Sequence, residues 1–155
     1  MFTGLSPEAW IAGVLGSAAI IEDLARRRIS NWIPLCALIG GVVCQVLRRG
    51  WMGVPLACAG ALVGFLVFLI FYLLGGMGGG DIKLMAGFGA VLGYSRLLEA
   101  ALWAAGIGGI LAMGVIGFRA LRRLWSSGVQ PPEESAFIPY APAIALGVWL
   151  SLIPK

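Results

Sequence analysis

The stretch VPLACAGALVGFLVFLIFYLLGGMGGGDIKL, residues 54–84, joins two segments of opposite character. Val54–Leu74 is apolar and uncharged, and it is long enough to cross a bilayer core as one helix, which takes about 20 residues. Directly after it, Gly75–Gly80 places five glycines in six residues, and the run ends on the carboxylate of Asp81. Glycine loses more backbone entropy on ordering than any other residue, so the segment reads as a break between helices rather than a helix interior. Inside a membrane protein such irregular backbone is tolerated only where protein buries it or water reaches it. An ionisable residue at its edge is therefore a candidate functional group. A plainer role, Asp81 as the N-cap of the following helix, fits the same residues.

Composition sets the solvent. Of 155 residues, 60% are hydrophobic and 12% charged, and the mean hydropathy is +0.96, whereas a soluble domain carries about 25% charge. The chain reads as an all-α polytopic membrane protein of about six spans in one bundle, with no extramembrane domain. Cys36, Cys44 and Cys58 sit in apolar runs without CxxC spacing, and histidine is absent. Zinc sites of the usual kind and histidine-assisted nucleophiles are thus excluded, and the cysteines read as small hydrophobes. No metal, no cofactor and no nucleic-acid partner are expected. The opening MFTGLSPEAW has no Lys or Arg, so it lacks the basic start of a secretory signal and reads as the approach to a retained span.

In order, the spans are expected at Pro7–Leu24, Trp32–Leu47, Val54–Leu74, Leu84–Gly93, Ala100–Phe118 and Pro142–Ile153, with Gly93–Arg96 as an outer turn and Ser126–Ser135 as an exposed loop. Arg26, Arg27 and Arg28 follow the first span and should be cytoplasmic by the positive-inside rule, which places the N-terminus outside. This topology puts Arg26, Arg27, Arg28, Lys83, Arg119, Arg122 and Arg123 inside, and Arg48, Arg49, Arg96 and Lys155 outside. Asp23 and Asp81 then lie on the same face of the membrane.

Glu8 and Glu99 belong near the outer surface and Glu133 and Glu134 in the polar loop, which leaves Glu22, Asp23 and Asp81 at cytoplasmic membrane ends. Two carboxylates sharing a site repel when both are ionised, so they hold one proton between them. One then serves as base toward water while the other donates to a substrate carbonyl. The alternative for Asp23 is an ion pair with Arg26 or Arg27 at helical spacing.

The run GMGGGDIKLMAGFGAVLG, with Gly78-x-Gly80-Asp81 and then Lys83-Leu84, resembles the GxGD motif of the type IV prepilin peptidases, membrane aspartyl proteases that trim prepilin leaders. Asp23-Leu24-Ala25-Arg26-Arg27-Arg28-Ile29-Ser30-Asn31-Trp32 is similar to that family's first aspartate motif, where an Ile-Pro-Asn turn follows the Asp. Phe137–Gly147 resembles its proline-rich entry to the last span. Three motifs in one order make the likeness specific. Ser30 departs from it, standing where the family has proline, so the turn lacks a preset φ. Long members also carry a paired-CxxC region and methylate the new N-terminus. The likeness here is to the short peptidase-only form of tight-adherence pilus systems, and N-methylation is not expected.

The resemblance implies Asp23 and Asp81 as catalytic pair, with Gly78 and Gly80 giving the backbone room to place Asp81 and admit a peptide. Lys83 would either hold a substrate carbonyl or carboxylate or pair with a loop acid. Glu22 reads as a bystander near the headgroups, or as a stand-in for Asp23, and the arginines as topogenic charge facing anionic lipid. The implied protein is one membrane-embedded peptidase domain, residues 1–155, in the bacterial cytoplasmic membrane. Its partners would be a prepilin or pseudopilin and the lipid bilayer. A small proton- or ion-coupled transporter and an inactive pilin-binding relative are the competing classes.

Overall fold

The computed structural model describes residues 6–74, 77–125 and 140–153, and those residues are helical with short connections. The helices are α1 (Pro7–Arg26), α2 (Trp32–Arg49), α3 (Gly53–Leu73), α4 (Gly79–Trp125) and α5 (Ala141–Ser151), with a single 3-10 turn, Gly50–Met52, between α2 and α3. Trp32–Leu73 and Gly79–Arg122 are long and apolar enough to cross a membrane. The expected loop Ser126–Ser135, Gly75 and Gly76, Phe137–Pro139 and Lys155 lie outside the described residues.

Local chemistry explains the ends. Ser6 caps α1 by accepting the Ala9 N–H at 3.4 Å, and Pro7 fills the first helical position, where its missing N–H costs nothing. α1 stops at Arg27, whose φ of 52° is left-handed and whose N–H closes onto the Asp23 carbonyl at 2.8 Å.

Two expectations are corrected in α4. The glycine break is shorter than the sequence suggests, because Gly79 and Gly80 already form the first turn of the helix. The first N–H groups of a helix lack intrahelical partners in any case, and the acidic Asp81 in that turn suits the positive end of the helix dipole. The outer turn Gly93–Arg96 contracts to a single residue: Tyr94, Ser95 and Arg96 are helical, and only Gly93, at φ 72° and ψ 167°, leaves helical geometry. No side chain tolerates that conformation, so one glycine turns the chain and α4 consists of two arms, 79–92 and 94–125.

The packing is that of a bundle whose helices meet through many small residues, around a core that also holds Phe68, Phe88 and Leu84, with many large apolar side chains turned outward. Ala12, Ala19, Ala37, Ala57 and Ala100 are fully buried, while Trp51 is 87% and Leu47 79% exposed. That distribution inverts the usual soluble pattern and matches helices that meet through small residues with apolar chains turned to lipid. α4 is the hub, packing against α3, α5 and α2. Gly60 of α3 and Gly89 of α4 lie against each other's carbonyl oxygens, and a Cβ at Gly64 would meet the Met85 carbonyl at 2.6 Å. At one end of the bundle the buried Glu8 pairs with Arg48 and, at 3.8 Å, with Arg96. The other end holds the C-terminus of α1 and the starts of α2, α4 and α5.

Gly60→Ala or Gly89→Ala should therefore destabilise the protein by about 1–3 kcal/mol through overpacking. Gly114→Ala, where an added Cβ meets nothing within 4 Å, should leave stability unchanged or raise it by up to about 1 kcal/mol. Thermal unfolding of the detergent-purified variants measures the contrast.

Candidate active site

Asp23 sits on the last turn of α1, one residue after Glu22, so the two side chains project about 100° apart on the helix. Asp23 turns inward and is 2% exposed. Its carboxylate meets the start of α5, where the Ala141 N–H donates to Oδ2 at 3.2 Å. This contact follows from α1 and α5 lying side by side, fastened further along by the Trp149 indole, which donates to the Ala12 carbonyl at 3.0 Å. The N-cap position of α5, Tyr140, supplies no capping side chain, so Asp23 provides from another helix the acceptor that a helix start favours. The ion pair of Asp23 with Arg26 or Arg27 does not form; the partner of its carboxylate is the Ala141 amide.

Asp81 is 3% exposed and is the third residue of α4, not its N-cap. Its Oδ2 reaches back to accept the Gly78 N–H at 3.2 Å while its own N–H donates to the Gly78 carbonyl at 3.1 Å. This is the acidic half of a capping box. Asp23 lies close enough for its charge to act on Asp81. The two acids are thus brought to one end of the bundle, each anchored through one oxygen to the amide of a helix start.

Gly78 supplies that amide, and Gly80 sets its bare Cα against Ile29 of the α1–α2 turn, where a Cβ would come within 3.2 Å of the Ile29 Cβ. Lys83, exposed at the surface, donates from Nζ to Asn31 Oδ1 at 3.0 Å. Its partner among the described residues is thus a side-chain amide, and the acids of the expected loop, Glu133 and Glu134, lie outside those residues. Asn31 precedes α2 but makes no capping bond to it.

Glu22 is not the bystander expected. Its Oε2 accepts the Ser30 N–H at 2.8 Å and its Oε1 accepts the Ser30 hydroxyl at 2.9 Å. Proline at position 30, the residue that the resemblance led one to expect, has no N–H and would make neither bond. Sequence reasoning missed this link and the Ala141 amide because both depend on chain reversals: one on the left-handed turn at Arg27, the other on α5 returning beside α1.

Two recesses are lined, one by the α1–α2 turn and the other in part by chain neighbours of the residues that hold the pair. One, open and about 630 Å³, is lined by Arg26, Arg28, Ile29, Ser30 and Asn31. The other, about 160 Å³ and apolar, is walled by Phe68, Phe71, Met77, Ala104 and Tyr140. Met77 and Tyr140 are chain neighbours of Gly78 and Ala141, whose amides hold the two aspartates. Among the described residues no cluster of His, Cys, Asp and Glu is arranged to hold a metal ion. The arrangement offers acid–base chemistry from two buried carboxyl groups beside an apolar notch and a basic rim.

Comparison with known proteins gives a match to a family model described as the type IV leader peptidase family over residues 10–113. The chain is 31% identical over 138 residues to a protein of Aeromonas salmonicida (strain A449) named prepilin leader peptidase/N-methyltransferase, an alignment covering 84% of this chain and 43% of that one. The protein of the same name in Aeromonas hydrophila is 30% identical, with the same coverage. The chain thus spans less than half the length of these relatives. No solved structure matches it.

Because the amide of Gly78 needs only an acceptor, Asp81→Asn should leave thermal stability within about 0.5 kcal/mol of the parent, while Asp81→Ala should lose about 1 kcal/mol, the usual value of a capping contact. Equal melting points for the two variants would show that the contact with Gly78 contributes nothing.

Proposed function

Since this chain belongs to the type IV leader peptidase family, we propose that it is a membrane aspartyl endopeptidase that removes the leader of a prepilin or pseudopilin at the cytoplasmic face of the inner membrane. The observation that carries the reading is that two buried aspartates, Asp23 at the end of α1 and Asp81 at the start of α4, lie at one end of the bundle, near enough for the charge of one to act on the other. The relatives' name supports the peptidase class. The methyltransferase half of that name is not part of the proposal.

In this reading α1, α2, α3, the two arms of α4 and α5 are six spans of one peptidase domain, residues 1–155, with the N-terminus outside and the aspartates at the inner rim. Its exposed apolar residues support placement in lipid. One carboxyl group, ionised, takes a proton from water; the other, protonated, donates to the oxygen of the scissile carbonyl as the water oxygen bonds to its carbon. The tetrahedral intermediate then collapses as the C–N bond breaks: the first carboxyl gives its proton to the departing amine, and the second takes back the proton of the hydroxyl that becomes the new carbonyl. The remaining oxygen of each carboxyl, Oδ1, does this work, since Oδ2 is held by the amide of Ala141 or Gly78.

The substrate must present an extended peptide at this point, where its hydrophobic helix reaches the membrane surface. Gly78 and Gly79 add no side chain of their own beside Asp81, and main-chain hydrogen bonds would align the peptide there. The apolar recess at Phe68, Met77 and Tyr140 receives an apolar side chain next to the cut, while Lys83, held by Asn31, faces a carbonyl or carboxylate of the substrate.

Purified protein in lipid should cleave a peptide built from a basic leader, a glycine and a hydrophobic helix. Asp23→Asn and Asp81→Asn should each lower the rate by about 10²–10⁴-fold, the usual contribution of a positioned acid or base, at unchanged abundance. Full activity in either variant removes that aspartate from the mechanism. Labelling that places positions 23 and 81 on opposite sides of the membrane ends the assignment.

A further inference from the structure

The turn between α1 and α2, residues 27–31, makes the first aspartate's helix end meet the second aspartate's helix start. Ile29 packs on Gly80, and Asn31 accepts from Lys83, two residues beyond Asp81. The turn has little intrinsic reason to hold this shape. It begins with Arg27 in the left-handed region, which disfavours a residue bearing a side chain, and Asn31, whose side chain would ordinarily cap α2, makes no capping bond to it. What fixes the turn from behind is Glu22: one carboxylate oxygen takes the Ser30 N–H at 2.8 Å and the other takes the Ser30 hydroxyl at 2.9 Å. Hydrogen bonds to an ionised acceptor are among the stronger ones, and a two-point grip on one residue fixes orientation as well as distance.

We propose that Glu22 is a positioning residue, holding the α1–α2 turn in the shape that lays Ile29 against Gly80 and presents Asn31 to Lys83, so that the α4 start carrying Asp81 is set against Asp23. Glu22 makes no contact with the reacting atoms in this scheme and acts through Ser30. The two successive acids of α1 divide the work by helical phase: Asp23 faces the buried pair and Glu22 faces the turn.

The inference has a structural arm and a kinetic arm, and only the second rests on the peptidase reading. A Cβ at position 80 would stand 3.2 Å from that of residue 29, near the spacing of a disulfide, whose Cβ atoms sit about 3.8 Å apart. In a background with Cys36, Cys44 and Cys58 replaced by alanine, the pair Ile29→Cys/Gly80→Cys should cross-link under mild oxidation in membranes. Adding Glu22→Ala should cut the yield about fivefold or more, as expected for residues coupled through one network. Adding Glu22→Gln, whose amide oxygen still accepts the Ser30 N–H and whose NH₂ can donate to the Ser30 hydroxyl oxygen, should preserve most of it.

In the cleavage assay, Glu22→Ala should lower kcat about tenfold or more with KM nearly unchanged, as small misplacements of catalytic groups do. Glu22→Gln should restore most of the loss, and Glu22→Ala/Ser30→Ala should be no worse than Glu22→Ala alone. Should Glu22→Ala fail to accumulate, Ser30→Ala, which removes only the hydroxyl link, serves in both arms with a smaller loss in the same direction. Cross-linking and kcat at parental levels in these variants overturn the positioning role. Absence of cleavage by the parent protein refutes the peptidase reading, while the cross-linking yield still decides whether Glu22 holds the turn.

Discussion

The closest constraint in the structure is the approach of α3 to the first arm of α4, where Gly60 and Gly89 face each other's carbonyls with no side chain between them. Without hydrophobic drive between helices in lipid, association rests on such van der Waals contact and on the absence of atoms that would hold the backbones apart. Once α3 and α4 lie this close, the connection between them has to be tight. The first turn of α4 then carries Asp81 at the rim of the bundle.

The same logic of borrowed backbone groups governs both acids. Taking two carboxyl groups out of water is costly unless donors meet them, and each aspartate finds its donor at a helix start: Gly78 for Asp81 and Ala141 for Asp23. These amides belong to the four at each helix start that have no intrahelical acceptor. Pairing an orphan donor with a buried acceptor satisfies both groups at once. It leaves each carboxyl one oxygen unengaged by these amides while the other fixes its orientation.

Much of this was legible in the residues, and the parts that were not share a cause. The apolar run Val54–Leu74 gave a helix, observed as Gly53–Leu73, because length and hydropathy alone determine it. Asp23 and Asp81 were singled out from the small inventory of acids, the glycine break and the family resemblance, and the structure buries both. The extent of that break was misjudged because propensity counts Gly79 and Gly80 against a helix, whereas the first turn makes few demands on them. Gly93–Arg96 was read as a turn of several residues because Tyr94, Ser95 and Arg96 are polar or amphipathic, yet one glycine in a conformation closed to other residues was sufficient. Glu22 was misjudged for a different reason: its partner, Ser30, lies across a reversal that no local pattern announces.

Gly93 ties the two rims of the protein together. It stands about 18 Å along the helix axis from Asp81, given twelve residues at 1.5 Å each, at the end of the bundle where Glu8 engages Arg48 and Arg96. The arm that leaves it carries Ala100 and Ala104 against Gly147, and through α5 it sets where the Ala141 amide meets Asp23. Position 93 therefore works like the pivot of a pair of tongs: the bend at one end of the bundle fixes the gap between the jaws at the other. A methyl group there, far from both acids, would be felt where Asp23 and Asp81 sit as a change in aim.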